Sequence, residues 1–311
     1  MNPIESIWRT AKIERRIRLG PVSILFRLRR AISITGNRPR LSHYILESNG
    51  GFLEVRQFAQ LTQTASVEGS DDLAQRVETA LIFGVGPGFG FAVARKLVSS
   101  GMSVAMVSRD AERLRPLLKK LSSATDSKVR AYGCDATNEV SVRQTMARVA
   151  HELGTPHLVI YSIQGFSSGH LIDIEVAAFE DCWRQNCLGG FIVAREAARM
   201  LKPLGRGTIA LIGSTSAVIG RAGHLNLAVG KFGLRALSQV MSQELWSSGI
   251  HVVHLIIDAD IKEDESIPAN IPQADPQHIA DLLYTLHCQP KSAWTSEIDV
   301  RPWNERFWEH C

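Results

Sequence analysis

From Glu78 onward the chain alternates short apolar runs, rich in β-branched residues, with polar-patterned segments long enough for helices. Residues 79–83, 103–107, 129–133, 157–161, 208–212 and 251–257 have the length and content of buried strands. Strands that recur with a helix-length segment between them imply parallel pairing through right-handed crossovers. The fold expected for residues 78–311 is therefore an α/β, doubly wound parallel sheet in a single domain. Upstream the pattern differs. Leu25, Leu28 and Ile32 recur at helical spacing with Arg27, Arg29 and Arg30 between them, which predicts a short basic amphipathic helix. Residues 41–77 are of mixed polarity, with a loop-like run from Glu68 to Asp72, and read as a connector.

Composition narrows the class. With 311 residues, 45% hydrophobic and 21% charged, the chain can bury a full core, and neither a disordered protein nor a fibrous rod is expected. The longest early apolar run, residues 21–26, stops at Arg27, well short of a membrane span. The net charge of +4 conceals an uneven distribution: residues 1–40 carry ten basic side chains against Glu5 and Glu14, a balance of +8, so the remainder carries −4. A mildly acidic globule with a basic leader is not the charge pattern of a nucleic-acid-binding domain. The leader has three readings: an organelle transit peptide, a helix that docks on a membrane surface or a partner, or a cap on the main domain. Five cysteines, odd in number and without C-x-x-C spacing, suggest neither a disulfide framework nor a zinc site, so a cytoplasmic setting is the default. His251 and His254, three apart on a strand, point to opposite faces and do not form a metal pair.

The segment ALIFGVGPGFG ends the first strand of the domain and places Gly84, Gly88 and Gly90 in G-x3-G-x-G spacing before a helix. A strand, a tight glycine turn and a helix N-terminus let backbone amides approach a pyrophosphate, so the turn is a candidate dinucleotide site. The next strand ends in Ser108 and Arg109, where an NAD-selective site would hold a carboxylate. Ser108 stands at the carboxylate's position, which removes the repulsion of a 2′-phosphate, and Arg109 beside it can pair with that group, so NADP is expected. Asp110 reads as the first residue of the following helix.

At this point residues 78–311 resemble a short-chain dehydrogenase/reductase, a family of single-domain Rossmann oxidoreductases that use NAD or NADP. The glycine turn matches that family's cofactor motif. Asp135, in Cys134-Asp-Ala-Thr137, matches its adenine-side aspartate, and Asn186 matches the central-helix asparagine that holds a water. Ser214 matches the serine that polarises a substrate carbonyl, and Lys231, seventeen residues on, the lysine that contacts the nicotinamide ribose. Residues 161–165 lie where the family has an Asn-Asn-Ala-Gly loop and keep only Gly165 of it. The resemblance implies a homodimer or homotetramer.

The largest departure is at the family's general acid, a tyrosine four residues before the lysine; that position is Leu227. Three replacements for the lost proton donor are open. His224 shares a helix face with Leu227 and Lys231 if the helix extends that far, and an unperturbed histidine titrates near neutrality. Ser214, Ser216 or Tyr161 could instead hold a water that protonates the substrate, with Lys231 supplying charge. The third possibility is that the pocket binds a dinucleotide without turnover. A second departure follows the sixth strand, where Ile257-Asp-Ala-Asp-Ile261 replaces a Pro-Gly pair, and residues 262–275 are expected to form a substrate-side lid. The sequence thus points to an NADP-dependent oxidoreductase acting on a carbonyl or alcohol of a small molecule. Its alternative is a silent dinucleotide-binding module docked through its leader.

Overall fold

The computed structural model describes residues 77–122, 128–261 and 273–305, together with the backbone of four strands between residues 13 and 54. The chain divides into two compact units, Met1–Arg76 and Val77–Cys311.

In the first unit, β1 (Ile13–Leu19), β2 (Val22–Ile34), β3 (Pro39–Ser48) and β4 (Gly51–Glu54) pair in that order as an antiparallel sheet. This corrects the helix expected around Leu25, Leu28 and Ile32, because Val22–Ile34 is one strand. The physical reason is visible in the same residues. Val22, Ile24, Phe26, Leu28, Ile32 and Ile34 are all even-numbered, a period of two that outweighs the three apolar positions at helical spacing. Its register on β3 sets Leu28 opposite Leu46 and shifts between Ala31 and Ile32, as at a bulge. The connector likewise contributes β3 and β4.

The second unit is built on a seven-stranded parallel sheet. Its strands are β5 (Thr79–Phe83), β6 (Ser103–Ser108), β7 (Val129–Gly133), β8 (Pro156–Tyr161), β9 (Gly207–Ser214), β10 (Ile250–Ile257) and β13 (Glu297–Val300). Across the sheet they run β7-β6-β5-β8-β9-β10-β13. A short pair, β11 (Asp260–Ile261) and β12 (Gln273–Ala274), lies outside it. All six expected strands form, within two residues of their expected ends. Successive residues point to opposite faces and both faces are covered. Ala80 and Ile82 belong to one apolar cluster, Leu81 and Phe83 to the other, and Leu158 and Ile160 part from Val159 and Tyr161 in the same way. One face is covered by α1 (Phe89–Ser99), α2 (Arg115–Ser122) and α7 (Pro276–His287). The other is covered by α3 (Glu139–Leu153), α5 (Gly189–Leu201) and α6 (Leu225–Leu245). Between β8 and α5 lie α4 (Val176–Trp183) and a π-turn, Arg184–Leu188.

Strand order reverses between β5 and β8, so the chain leaves their C-terminal ends in opposite directions and opens a crevice there. His251 and His254 are buried in β10, where His251 Nε2 lies 2.9 Å from the Thr295 carbonyl and His254 Nδ1 2.9 Å from Glu297. No helix among the described residues is long and apolar enough to cross a membrane.

Tyr161 ends β8 against the start of α5, where a Cβ on Gly189 would overlap its hydroxyl. Gly189→Ala is expected to cost about 1–3 kcal/mol of stability through overpacking. In a Tyr161→Phe background, which removes the overlapping oxygen, the same change should cost at least about 1 kcal/mol less, read as a coupling energy in denaturant unfolding. Equal costs in both backgrounds would refute the contact.

Candidate functional site

A cavity of about 670 Å³ opens at the C-terminal edge of the sheet, over the β5/β8 switch point. Its floor is the glycine turn. Gly84 has φ +96°, and a Cβ there would come within 2.7 Å of the Ser162 backbone, so only glycine lets β5 and β8 close at this point. Gly84 and Val85 both donate their N–H to the Val107 carbonyl at 3.0 Å, which ties the turn to β6. A Cβ on Gly90 would lie 2.8 Å from Val85 Cα, so this glycine sets how closely α1 follows the strand. Helix α1 starts at Phe89, has no side-chain cap at Gly88 and carries no acidic residue in its first turn. Gly84, Gly88 and Gly90 all line the cavity, so the positive end of the helix dipole is presented to it with no carboxylate in the helix's own first turn.

The opposite wall comes from β9 and α6. Ser214 ends β9 and lines the cavity, its Oγ buried and without a hydrogen-bond partner. Lys231 lies within α6 and is 2% exposed, its Nζ donating to the Ile212 carbonyl at 3.0 Å. Burial lowers the Lys231 pKa from the ordinary lysine range to about 8. Asn186 sits on the π-turn, fully buried, and its amide donates to the carbonyls of Gly165 at 2.7 Å and Cys182 at 2.9 Å. Its Oδ1 has no partner, and a Cβ on Gly230 would come within 2.6 Å of Asn186 Cβ, so the asparagine packs directly on the turn of α6 that carries Lys231.

His224 precedes α6 with φ −120° and ψ 22°, so the helix begins one residue after it. The position is nonetheless in the site. His224, Leu227 and Lys231 all line the cavity, and the His224 ring stacks on Phe166 with centroids 5.4 Å apart. Its Nδ1 lies 3.2 Å from the Ala222 carbonyl, which favours the Nδ1–H tautomer and leaves Nε2 to accept a proton. Tyr161, one of the residues considered for holding a water, is excluded from the site. It is 1% exposed, its hydroxyl donates to the Gln185 carbonyl, and burial pushes its pKa up.

Ser108, Arg109 and Asp135 sit together at the ends of β6 and β7, away from the cavity lining. The Cys134 N–H donates to the Ser108 carbonyl at 2.9 Å, which aligns the two strand ends. Asp110 accepts from the Glu112 N–H at 2.9 Å, so its carboxylate is spent on its own turn, and among the described residues none pairs with Arg109. Asp135 accepts from the N–H and hydroxyl of Thr137 at 2.9 and 2.8 Å.

Sequence reasoning missed two cavity residues. Asp258 bridges the hydroxyl of Thr215 and the guanidinium of Arg301, and burial raises its pKa. Arg221 lines the same cavity with Nε and Nη2 buried and unpartnered. Neither Asp258 nor Arg221 belongs to a local motif; the departure from Pro-Gly at residues 257–261 was the one available signal. The expected lid segment falls largely on residues 262–272, outside the described residues.

A family model described as short chain dehydrogenase matches residues 78–259. The chain belongs to the short-chain dehydrogenase family. An oxidoreductase of Staphylococcus aureus (strain N315) is 26% identical over 226 residues, covering 72% of this chain and 96% of its own length. A short-chain dehydrogenase from Rhodopseudomonas palustris superposes with a TM-score of 0.63 at 30% identity, covering 72% of this chain and 99% of its own. A metagenomic short-chain oxidoreductase in complex with NADP gives a TM-score of 0.63 at 24% identity, with 72% and 97% covered, a likeness of fold. Short-chain dehydrogenases bind NAD or NADP, and the glycine turn, the uncapped α1 and the unpartnered Ser214 hydroxyl of this chain suit such a group.

The buried Lys231 has a consequence for stability. A lysine whose folded pKa is about 8, against 10.5 when free, binds fewer protons folded than unfolded between those values, so its destabilisation fades as pH rises through that window. Relative to Lys231→Met, the wild-type chain should gain about 2–3 kcal/mol of unfolding free energy between pH 7.5 and 10. A constant difference across that range would show that the ammonium is solvated.

Proposed function

We propose that the chain is an NADP-dependent oxidoreductase that reduces a carbonyl or oxidises an alcohol on a small molecule. The observation that carries this reading is the convergence of the glycine turn, Ser214, His224 and Lys231 on one cavity. A bound nicotinamide dinucleotide supplies the hydride donor or acceptor. The residues holding it would be Gly84, Gly88 and Gly90 at the pyrophosphate, Lys231 at the nicotinamide end, and Asp135, Ser108 and Arg109 at the adenosine end. The engaged carboxylate of Asp110 and the unpaired guanidinium of Arg109 favour a 2′-phosphate.

In this reading Ser214 Oγ, which has no hydrogen-bond partner among the described residues, donates to the substrate oxygen. Lys231 favours the oxyanion that develops there. Leu227 has no proton to give, and His224 lines the same wall, so we assign it as the proton donor in reduction and acceptor in oxidation. Asn186 orders the loop at Gly165 against α6 and leaves Oδ1 to accept from a water.

Titration with NADPH and NADH, followed by nicotinamide fluorescence, is expected to show NADPH bound at least tenfold more tightly, and Arg109→Ala should erase most of that difference. Absence of binding to a folded sample would overturn the oxidoreductase reading. With a substrate in hand, Leu227→Tyr should raise turnover at least tenfold, since positioned acid catalysis contributes roughly 10²–10⁴-fold. No gain in a folded, NADPH-binding variant would refute the idea that the missing tyrosine hydroxyl limits turnover.

A further inference from the structure

We infer that Arg221 is an anion-recognition residue, and that the substrate of this site carries a carboxylate or phosphate in addition to the carbonyl or alcohol that reacts. This rests on the oxidoreductase reading above and adds the substrate class to it.

The argument begins with what Arg221 lacks. It is partly buried on the cavity wall, and its Nε and Nη2 are buried without a hydrogen-bond partner. Most of the protein's other arginines in the described region are engaged by carboxylates, as Arg235 is by Glu297 and Arg301 by Asp258 and Asp299. A guanidinium withdrawn from water and left unpaired is costly, so a native chain keeps one where a ligand completes it. The two unpartnered nitrogens are also the informative ones. Nε–H and one N–H of Nη2 point the same way along one edge of the planar guanidinium, the fork that two oxygens of a carboxylate or phosphate accept together.

The cavity acids do not satisfy this fork. Asp258 lines the same cavity, but its two oxygens are taken by the Thr215 hydroxyl and by Arg301. Glu305 also lines it, and makes no ion pair with Arg221 among the described residues. Among the residues that line the cavity, the cations Arg221 and Lys231 balance the carboxylates of Asp258 and Glu305, and Asp258 is further engaged by Arg301.

The backbone at Arg221 is held in place. Its carbonyl accepts from the His224 N–H at 3.1 Å, and the Gly223 carbonyl accepts from the Gly169 N–H at 3.2 Å. The loop is thereby tied both to the start of α6 and to the segment after β8. Ser214, the group assigned to the reacting oxygen, shares this cavity, so one molecule can meet both residues.

The test uses the full chain loaded with NADP⁺, in which a ketone binds without being reduced. Acetoacetate and its neutral methyl ester are titrated by calorimetry, followed by dihydroxyacetone phosphate and dihydroxyacetone. At least one anion should bind tenfold or more tightly than its neutral counterpart, and the pair that shows the difference tells carboxylate from phosphate. Arg221→Ala should bring that ratio to within about twofold of unity while NADP⁺ affinity and the circular dichroism spectrum stay unchanged. Arg221→Lys should keep part of the preference, and Arg221→Gln serves if the alanine variant does not fold. Equal binding of charged and neutral ligands, no binding of either anion, or a preference that survives Arg221→Ala would each overturn the inference. Failure to bind NADP⁺, read before any ketone is added, would instead strike the underlying reading.

Discussion

Where β5 and β8 end side by side, their backbones approach so closely that no side chain fits between them. Gly84 meets this constraint with a left-handed φ and a backbone within 2.7 Å, measured from its missing Cβ, of Ser162. Much of the site follows from that contact. It brings the turn before α1 under the loop after β8, so the positive end of a helix and the Ser162 to Gln164 segment face one cavity. The same close fit recurs one layer away, where Gly189 and Gly190 admit Tyr161 and Gly230 admits Asn186. The polar ends of the strands are therefore positioned by glycines that the apolar strand pattern does not itself reveal.

The second constraint is a cation without solvent. Lys231 is enclosed, and its one protein acceptor is the Ile212 carbonyl, two residues before Ser214. The lysine thus links α6 to the end of β9 and couples the position of its charge to that of the serine hydroxyl. Beneath them the Nε2 of His254 sits where a Cβ on Gly213 would fall, and Glu297 joins His254 to Arg235 on α6. Burial lowers the His254 pKa, which keeps a second positive charge from forming under Lys231. A stack of polar groups therefore supports the end of β9 from below while its upper surface lines the cavity.

How much of this was legible in the sequence depended on how local each signal was. Most of the six strands could be read because both faces of the sheet are covered, so they are nearly continuous apolar runs, while the edge strand β7 carries the exposed Arg130 and was read from its place in the alternation. The glycine turn, Ser214 and Lys231 could be read from spacing within one element or between neighbours in the chain. The leader was misread for the opposite reason. Val22–Ile34 satisfies two periods at once, and the choice between them rests on strands β1 and β3, which only the pairing reveals. Asp258 and Arg301 are 43 residues apart and meet because β10 and β13 are adjacent in the sheet, a fact of topology with no trace in either segment.

Leu227 and Arg221 bear on each other. Replacing a tyrosine by leucine at the cavity removes both a proton donor and a hydroxyl that could hold a substrate oxygen, and the wall at that point is apolar, 6% exposed. Orientation of a small ketone must then come from elsewhere. In the reading proposed above, Ser214 would fix one end and a bidentate guanidinium from Arg221 another, and together they would define a direction that the hydroxyl alone would not.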